Sequence, residues 1–250
     1  MARQLRRQQT DTIGYIIPSN NTGFADPFFS EFIAGLGDEA SAHNYDLLVT
    51  TAPPASPNEK AQYERWVQGG KVDGLVVNRV QLDDWRLHYL AEQGVPHVSL
   101  ERSLAQMDFV GVEVDSYNGF LELMAYLVNQ GHSRIAYIGG DPKLKIENDH
   151  HAGYQAGLKA ANITLDPALV THADLTPEGG YQAAEHLLKP ANPPTAIVCV
   201  NDLTAIGAMH ASHQYGLKVG RNIAIPGFDG IAERQVKFHP KLLIRESTGG

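Results

Sequence analysis

Short apolar runs alternate with amphipathic stretches along nearly all of this 250-residue chain, and that alternation leaves few folds open. Runs rich in Ile, Val and Leu, too short for helices, read as strands at 13–17, 46–50, 74–78, 97–100, 109–114, 134–138, 169–172, 196–200, 223–225 and 242–244. Helical patterns lie between most of them, at 27–43, 59–69, 83–93, 116–130, 149–161, 177–188, 203–215 and 231–238. Such alternation implies parallel strands joined by right-handed crossovers, with helices on both sheet faces. The expected fold class is α/β, with doubly wound parallel sheets. Two comparable halves are visible, each opening with a strand that runs into a polar or glycine turn, IGYIIPSNN and RIAYIGGD. The expected division is a leader at 1–11, an N-terminal subdomain at 12–130, a C-terminal subdomain at 131–241 and a return segment at 242–250. The break falls near NQGHS, and the two subdomains are expected to face each other across a ligand cleft.

Composition narrows the class further. With 43% hydrophobic residues the chain can bury a sizeable core. The single cysteine, Cys199, rules out an internal disulfide framework. No apolar run approaches the ~20 residues of a membrane span, and the N-terminus lacks the apolar stretch of a secretory signal. These features together read as a cytoplasmic protein without a membrane partner. A net charge of −8 argues against a broad nucleic-acid surface, since phosphate binding needs clustered Lys and Arg. One local exception exists, Arg3, Arg6 and Arg7 in MARQLRRQQ. A helix this short, under about 12 residues, is marginal on its own.

The polar residues of interest stand at the C-terminal ends of strands, where open sheets bind ligands. Residues 13–29 set the pattern: an apolar run stops at Pro18, a polar loop follows, and Asp26-Pro27 reads as a cap and first helical residue. Asp26 and Phe28 follow the first strand, Asn78 follows GLVV, Asp115 follows VGVEV, Asn201-Asp202 follows AIVCV, and Asp229 follows IAIPGF. Carboxylates and amides pair with vicinal hydroxyls, and an aromatic such as Phe28 stacks on an apolar ring face, a mixture that suits a carbohydrate better than a phosphate. The plainer alternative is that each Asp or Asn caps a helix or forms a turn. His150-His151 and His210 with His213 invite a metal reading, but no Cys or Glu stands near them at ligand spacing. Gly35-Leu36-Gly37 lacks the third glycine of a dinucleotide fingerprint, and neither a P-loop nor a G-x-S-x-G elbow is present. No cofactor, metal or catalytic group is nominated.

An ordered set of segments resembles the lac and gal repressor (LacI/GalR) family of bacterial transcription regulators over nearly the whole chain. ARQLRRQQTDTIGYIIP is similar to the family's hinge helix and first core strand. DPFFSEFIAGLGDEA, KVDGLVV, GVPHVSLER, VDSYNGF, GHSRIAYIGG, AGYQAGLKAANI, PTAIVCVNDLTAIGAM and PGFDG follow in the family's order. The resemblance implies a periplasmic-binding-protein-like core of two subdomains, an allosteric effector that is usually a sugar or related metabolite, and a homodimer. GFADPFF is similar to regulators of sugar utilisation, α-glucoside types included. Carried over by position, Asp26, Phe28, Asn78 and Asp115 would contact effector from the N-terminal subdomain. Asn201 and Asp229 would do so from the C-terminal one. The family's pocket arginine before x-x-Gly-aromatic is His150 here, which keeps a donor but loses the fixed charge and bidentate fork. The resemblance also implies that Leu5 wedges into the minor groove of operator DNA while Arg3, Arg6 and Arg7 neutralise phosphates. It implies a chain without the family's helix-turn-helix, ending after Gly250 short of the last helix and strand.

Two other functions share such a core. A sugar-binding protein of transport or chemoreception would need an upstream secretory signal and has no use for ARQLRRQQ leading into the first strand. An enzyme on a doubly wound fold would need an acid–base pair or nucleophile, and none can be nominated.

Overall fold

The computed structural model describes residues 9–19, 27–101 and 110–230. Asp26, the segment holding Arg3, Leu5, Arg6 and Arg7, and the expected elements at 231–238 and 242–244 lie outside the described residues. The chain divides into two compact units, Met1–Glu113 and Val114–Gly250.

In the first unit β1 (Thr12–Pro18), α1 (Pro27–Ala42), β2 (Asp46–Ala52), α2 (Pro57–Gln68), β3 (Gly74–Val77), α3 (Trp85–Glu92), β4 (His97–Leu100) and β5 (Val110–Val112) follow one another. The strands form one parallel sheet in the order β2-β1-β3-β4-β5. Side chains alternate across a strand, so one apolar run feeds two cores. Tyr15 and Ile17 of β1 pack with Val76, Phe29 and Phe32 on the α1 face. Ile16, Leu75 and Val77 pack with Tyr63, Trp66, Leu87 and Leu90 of α2 and α3 on the other. The N-terminal edge is fastened by Asp73, whose carboxylate accepts the Thr10 N–H at 2.8 Å, the Thr10 hydroxyl at 2.9 Å and the Asp11 N–H at 2.8 Å.

The second unit contains α4 (Ser116–Asn129), β6 (Ile135–Gly139), α5 (Lys145–Ala160), β7 (Val170–His172), α6 (Pro177–Leu188), β8 (Ala196–Cys199) and α7 (Asp202–Gln214). Its parallel sheet runs β7-β6-β8. The expected strand at 223–225 lies beside β8 through one parallel bridge, Ala196 to Ala224, with the Ile197 N–H donating to the Ala224 carbonyl at 2.9 Å. Ala136, Ile138, Ile197, Cys199, Ile223 and Ile225 face α6 and α7. Ile135, Tyr137, Val198 and Ala224 face α4 and α5.

The boundary differs from the one expected near NQGHS, because α4 belongs to the second unit. A side chain on Gly153 would meet the Tyr117 carbonyl oxygen at 2.4 Å, and one on Gly157 would meet Met124 Cβ at 2.3 Å. These two glycines let α4 and α5 approach closely, and Phe120, Leu123, Met124 and Leu127 fill that contact. The Gly131 turn that resembles a domain break ends α4 in a left-handed residue, φ 92°.

Candidate functional site

In the first unit the C-terminal end of β3 is built around Asn78. This side chain is 3% exposed, and its Nδ2 donates to the Tyr15 hydroxyl at 2.5 Å. Its Oδ1 is buried and has no hydrogen-bond partner among the described residues. The backbone here is held by Arg86, whose Nη2 donates to the carbonyls of Asn78 at 3.0 Å and Arg79 at 2.9 Å. Arg86 is itself buried and donates to both Asp84 oxygens, at 2.9 and 2.6 Å, and to Glu59 at 3.3 Å. Glu59 accepts from the Ala55 N–H at 2.8 Å, so one buried ionic cluster ties the loop after β2 to the loop after β3. Burial pulls the Asp84 carboxyl up, but the hydrogen bond and charge of Arg86 outweigh it and hold it below the usual range. Burial pushes the adjacent Tyr63 hydroxyl up to about 12. Arg79 takes a left-handed conformation, φ 47°, with its guanidinium 5.8 Å from the Phe29 ring centroid. Phe28 is 44% exposed in the first turn of α1 and stacks on Phe32 one turn later, at 5.9 Å between centroids.

In the second unit two expected site residues, Asp115 and Asn201, cap helices, and a third, Asp229, stands in a bend. Asp115, expected in the N-terminal subdomain, is the N-cap of α4 and stands in the second unit. It accepts from the Asn118 N–H at 3.2 Å and from the Asn118 side chain at 2.8 Å. Asn201 is the N-cap of α7, accepting the Thr204 N–H at 2.9 Å and donating to the Leu175 carbonyl at 3.3 Å. Asp229 is exposed in this bend, directly after Phe228. Capping accounts for much of what Asp115 and Asn201 do, the alternative the sequence left open.

His150 is different. It is 2% exposed, one turn inside α5, and its ring stacks on Phe120 at 4.3 Å and meets Phe228 at 4.8 Å. Neither Nδ1 nor Nε2 has a partner among the described residues. Burial drives its pKa down to about 3, so the ring is neutral at pH 7. Beside it, Glu147 fills the space in front of Gly139 and Gly140, accepting the Gly140 N–H at 2.7 Å and the Tyr137 hydroxyl at 2.8 Å. Burial raises the Glu147 carboxyl, and those two hydrogen bonds only partly offset it. His172 Nε2 stands 3.9 Å from Glu147. Burial and then the charge of His172 lower the pKa of His151.

The structure thus brings Asn78 together with Tyr15, and His150 with Phe120 and Phe228. Sequence reasoning passed over Tyr15, Glu147 and the Arg86 cluster. The signal for Tyr15 was alternation along β1; Glu147 and Arg86 are charged residues within helical patterns, which read as solvated faces until their burial is seen. Among the described residues no group of three or more His, Cys, Asp or Glu is placed to hold a metal ion, and no helix is long and apolar enough to cross a membrane.

The family described as periplasmic binding proteins and sugar binding domain of LacI family matches residues 10–247. The HTH-type transcriptional regulator AglR of Rhizobium meliloti (strain 1021) is 32% identical over 231 residues, covering 92% of this chain and 64% of that protein. The HTH-type transcriptional repressor CytR of Escherichia coli (strain K12) is 30% identical over 234 residues, covering 92% and 66%. The chain therefore spans about two thirds of these relatives' length, just under that fraction in both. Among solved structures, the transcriptional regulator CelR in complex with cellobiose superposes with a TM-score of 0.82 at 28% identity, covering 90% of this chain and 70% of that one. With a match over nearly its full length, in the order and fold described above, this chain belongs to the family of periplasmic binding proteins and sugar-binding domains of LacI-family regulators.

Proposed function

We propose that the chain is the effector-binding and dimerisation core of a cytoplasmic LacI-family regulator of transcription, and that it senses a sugar or related small metabolite. The observation that carries this reading is a pair of buried, unmet polar groups, Asn78 Oδ1 in one unit and the His150 ring in the other. Both belong to the segments that follow sheet strands, where open α/β folds receive ligands. Buried polar atoms without partners are rare in folded chains, and ligand hydroxyls, which both donate and accept, satisfy them. The relatives are transcriptional regulators, and CelR was solved with a disaccharide. Asp26, Phe28, Asn78, Asp115, His150, Asn201 and Asp229 are the proposed effector contacts, with Asp115 and Asn201 also serving as caps.

DNA binding is proposed for the complete protein, with Arg3 and Arg6 on phosphates and Leu5 as the wedge between base steps. Asp73 supports this arrangement, since it fastens Thr10 and Asp11 to the start of β3 and so fixes where the leader leaves the core. Effector could then change DNA affinity by its differential affinity for two conformations, a coupling of about 1–3 kcal/mol. No catalytic role is assigned.

Calorimetric titration of the complete protein with neutral mono- and disaccharides, cellobiose among them, tests the effector reading. Asn78→Ala removes one buried partner, worth about 1–3 kcal/mol, and should weaken the best ligand about 5- to 150-fold. Unchanged affinity in a folded variant removes Asn78 from the site.

A further inference from the structure

We propose that the effector is uncharged where it meets the second unit, and that His150 reads it as a neutral imidazole through one donated and one accepted hydrogen bond. This rests on the effector reading above and narrows the class of ligand: free sugars or nucleosides rather than phosphorylated or carboxylated metabolites.

Three observations converge. First, His150 is 2% exposed with both ring nitrogens unmet, so whatever satisfies the ring must offer an acceptor to its N–H and a donor to its lone pair. A hydroxyl does either, and two vicinal hydroxyls do both. Second, the ring is held against Phe120 and Phe228, centroids 4.3 and 4.8 Å away, an environment that supplies no counter-charge and little solvation. With burial driving its pKa down to about 3, roughly one ring in ten thousand is protonated at pH 7. Third, no arginine stands at this end of the unit among the described residues. Arg134 immediately precedes β6 and pairs with Asp166 at 3.0 Å, and Arg221 precedes the bridge at Ala224, so both lie at the N-terminal ends of strands. Lys145 at the start of α5 is engaged with Asp149. Lys143, exposed in the loop after β6, is the other lysine here, and these two cations are outnumbered by the acidic groups that follow the strands: Asp141, Glu147, Asp149, Asp174, Asp202 and Asp229. An anionic ligand needs charge-assisted donors, best from an arginine fork, and this end of the unit would oppose it.

The experiment is a matched calorimetric panel on the complete protein: glucose with glucose 6-phosphate, ribose with ribose 5-phosphate, cytidine with cytidine monophosphate, cellobiose, and inorganic phosphate. At least one neutral probe should bind, with its phosphorylated partner at least tenfold weaker and inorganic phosphate without measurable heat. His150→Leu should cost that neutral probe tenfold or more with the folded baseline retained, because it removes two unmet nitrogens from an apolar stack. His150→Arg should narrow or invert the preference between the matched pair. A phosphorylated probe that binds the native protein more tightly than its neutral partner overturns the inference while leaving the effector reading intact. So does an affinity for the neutral probe that His150→Leu leaves unchanged. A protein that binds none of the probes, charged or neutral, overturns the effector reading and this inference with it.

Discussion

His150 makes stability depend on acidity in a way that can be worked out and then removed. The folded-state pKa is lowered to about 3, against 6.5 for the free side chain. Above pH 6.5 the ring is neutral whether the chain is folded or not, and the group contributes no pH dependence. As pH falls below 6.5 the unfolded chain takes up a proton that the folded chain refuses, so stability is lost at about 1.4 kcal/mol per pH unit. At pH 5 the loss is about 2 kcal/mol, and by pH 3 it reaches about 4 kcal/mol, a large fraction of a typical domain's stability. His150→Leu abolishes this term and keeps the site apolar against Phe120 and Phe228. The assay is urea unfolding of the native protein and the variant at pH 8, 7, 6 and 5, followed by the signal of the second unit. The difference in unfolding free energy should be flat from pH 8 to 7 and then move in the variant's favour, by about 2 kcal/mol at pH 5. A difference that stays constant across the series refutes the reasoning, since it means the ring is as easily protonated folded as unfolded.

Four further perturbations probe the frame around the site. Arg86→Met strands Glu59 and Asp84 as buried unpaired carboxylates and should cost about 3–5 kcal/mol in denaturant unfolding, whereas adding Glu59→Gln and Asp84→Asn should restore a large part. Gly153→Ala places a methyl 2.4 Å from the Tyr117 carbonyl oxygen and should cost about 1–3 kcal/mol, read as a lower Tm. Gly35→Ala, with nothing within 4 Å, should instead stabilise α1 by up to about 1 kcal/mol. Asn201→Ala removes the α7 cap and should cost about 0.5–2 kcal/mol in unfolding experiments without any ligand present.

Much of the fold was legible because helices cover both faces of both sheets. Strands buried on two sides appear as unbroken apolar runs, and IGYII and RIAYI needed no tertiary information to be recognised. Helix starts were legible where a side chain caps them, as Thr176-Pro177 does for α6. Where the cap is missing the reading slipped: α5 begins at Lys145 after Leu144, which makes no side-chain cap bond, four residues before the expected start. The boundary was misplaced for a related reason. Gly131 announces a helix end locally, but the assignment of α4 depends on Gly153 and Gly157 admitting it against α5, which is a property of packing. The site divides in the same way. Strand ends pointed to Asn78, Asp115, Asn201 and Asp229, yet only the structure separates the unmet amide oxygen of Asn78 from the caps formed by Asp115 and Asn201. The resemblance singles out His150 as the position of the family's pocket arginine, but its enclosure by rings from α4 and the 226–229 segment exists only in three dimensions.

The most direct test of the effector-binding account is thermal unfolding of the complete protein against a library of sugars, nucleosides and their phosphorylated counterparts. A ligand at a hundred times its Kd adds about 2.7 kcal/mol of apparent stability. The account predicts at least one compound that raises Tm, with the rise reduced in both Asn78→Ala and His150→Leu. A library in which no compound raises Tm, or a rise that survives both substitutions undiminished, contradicts it.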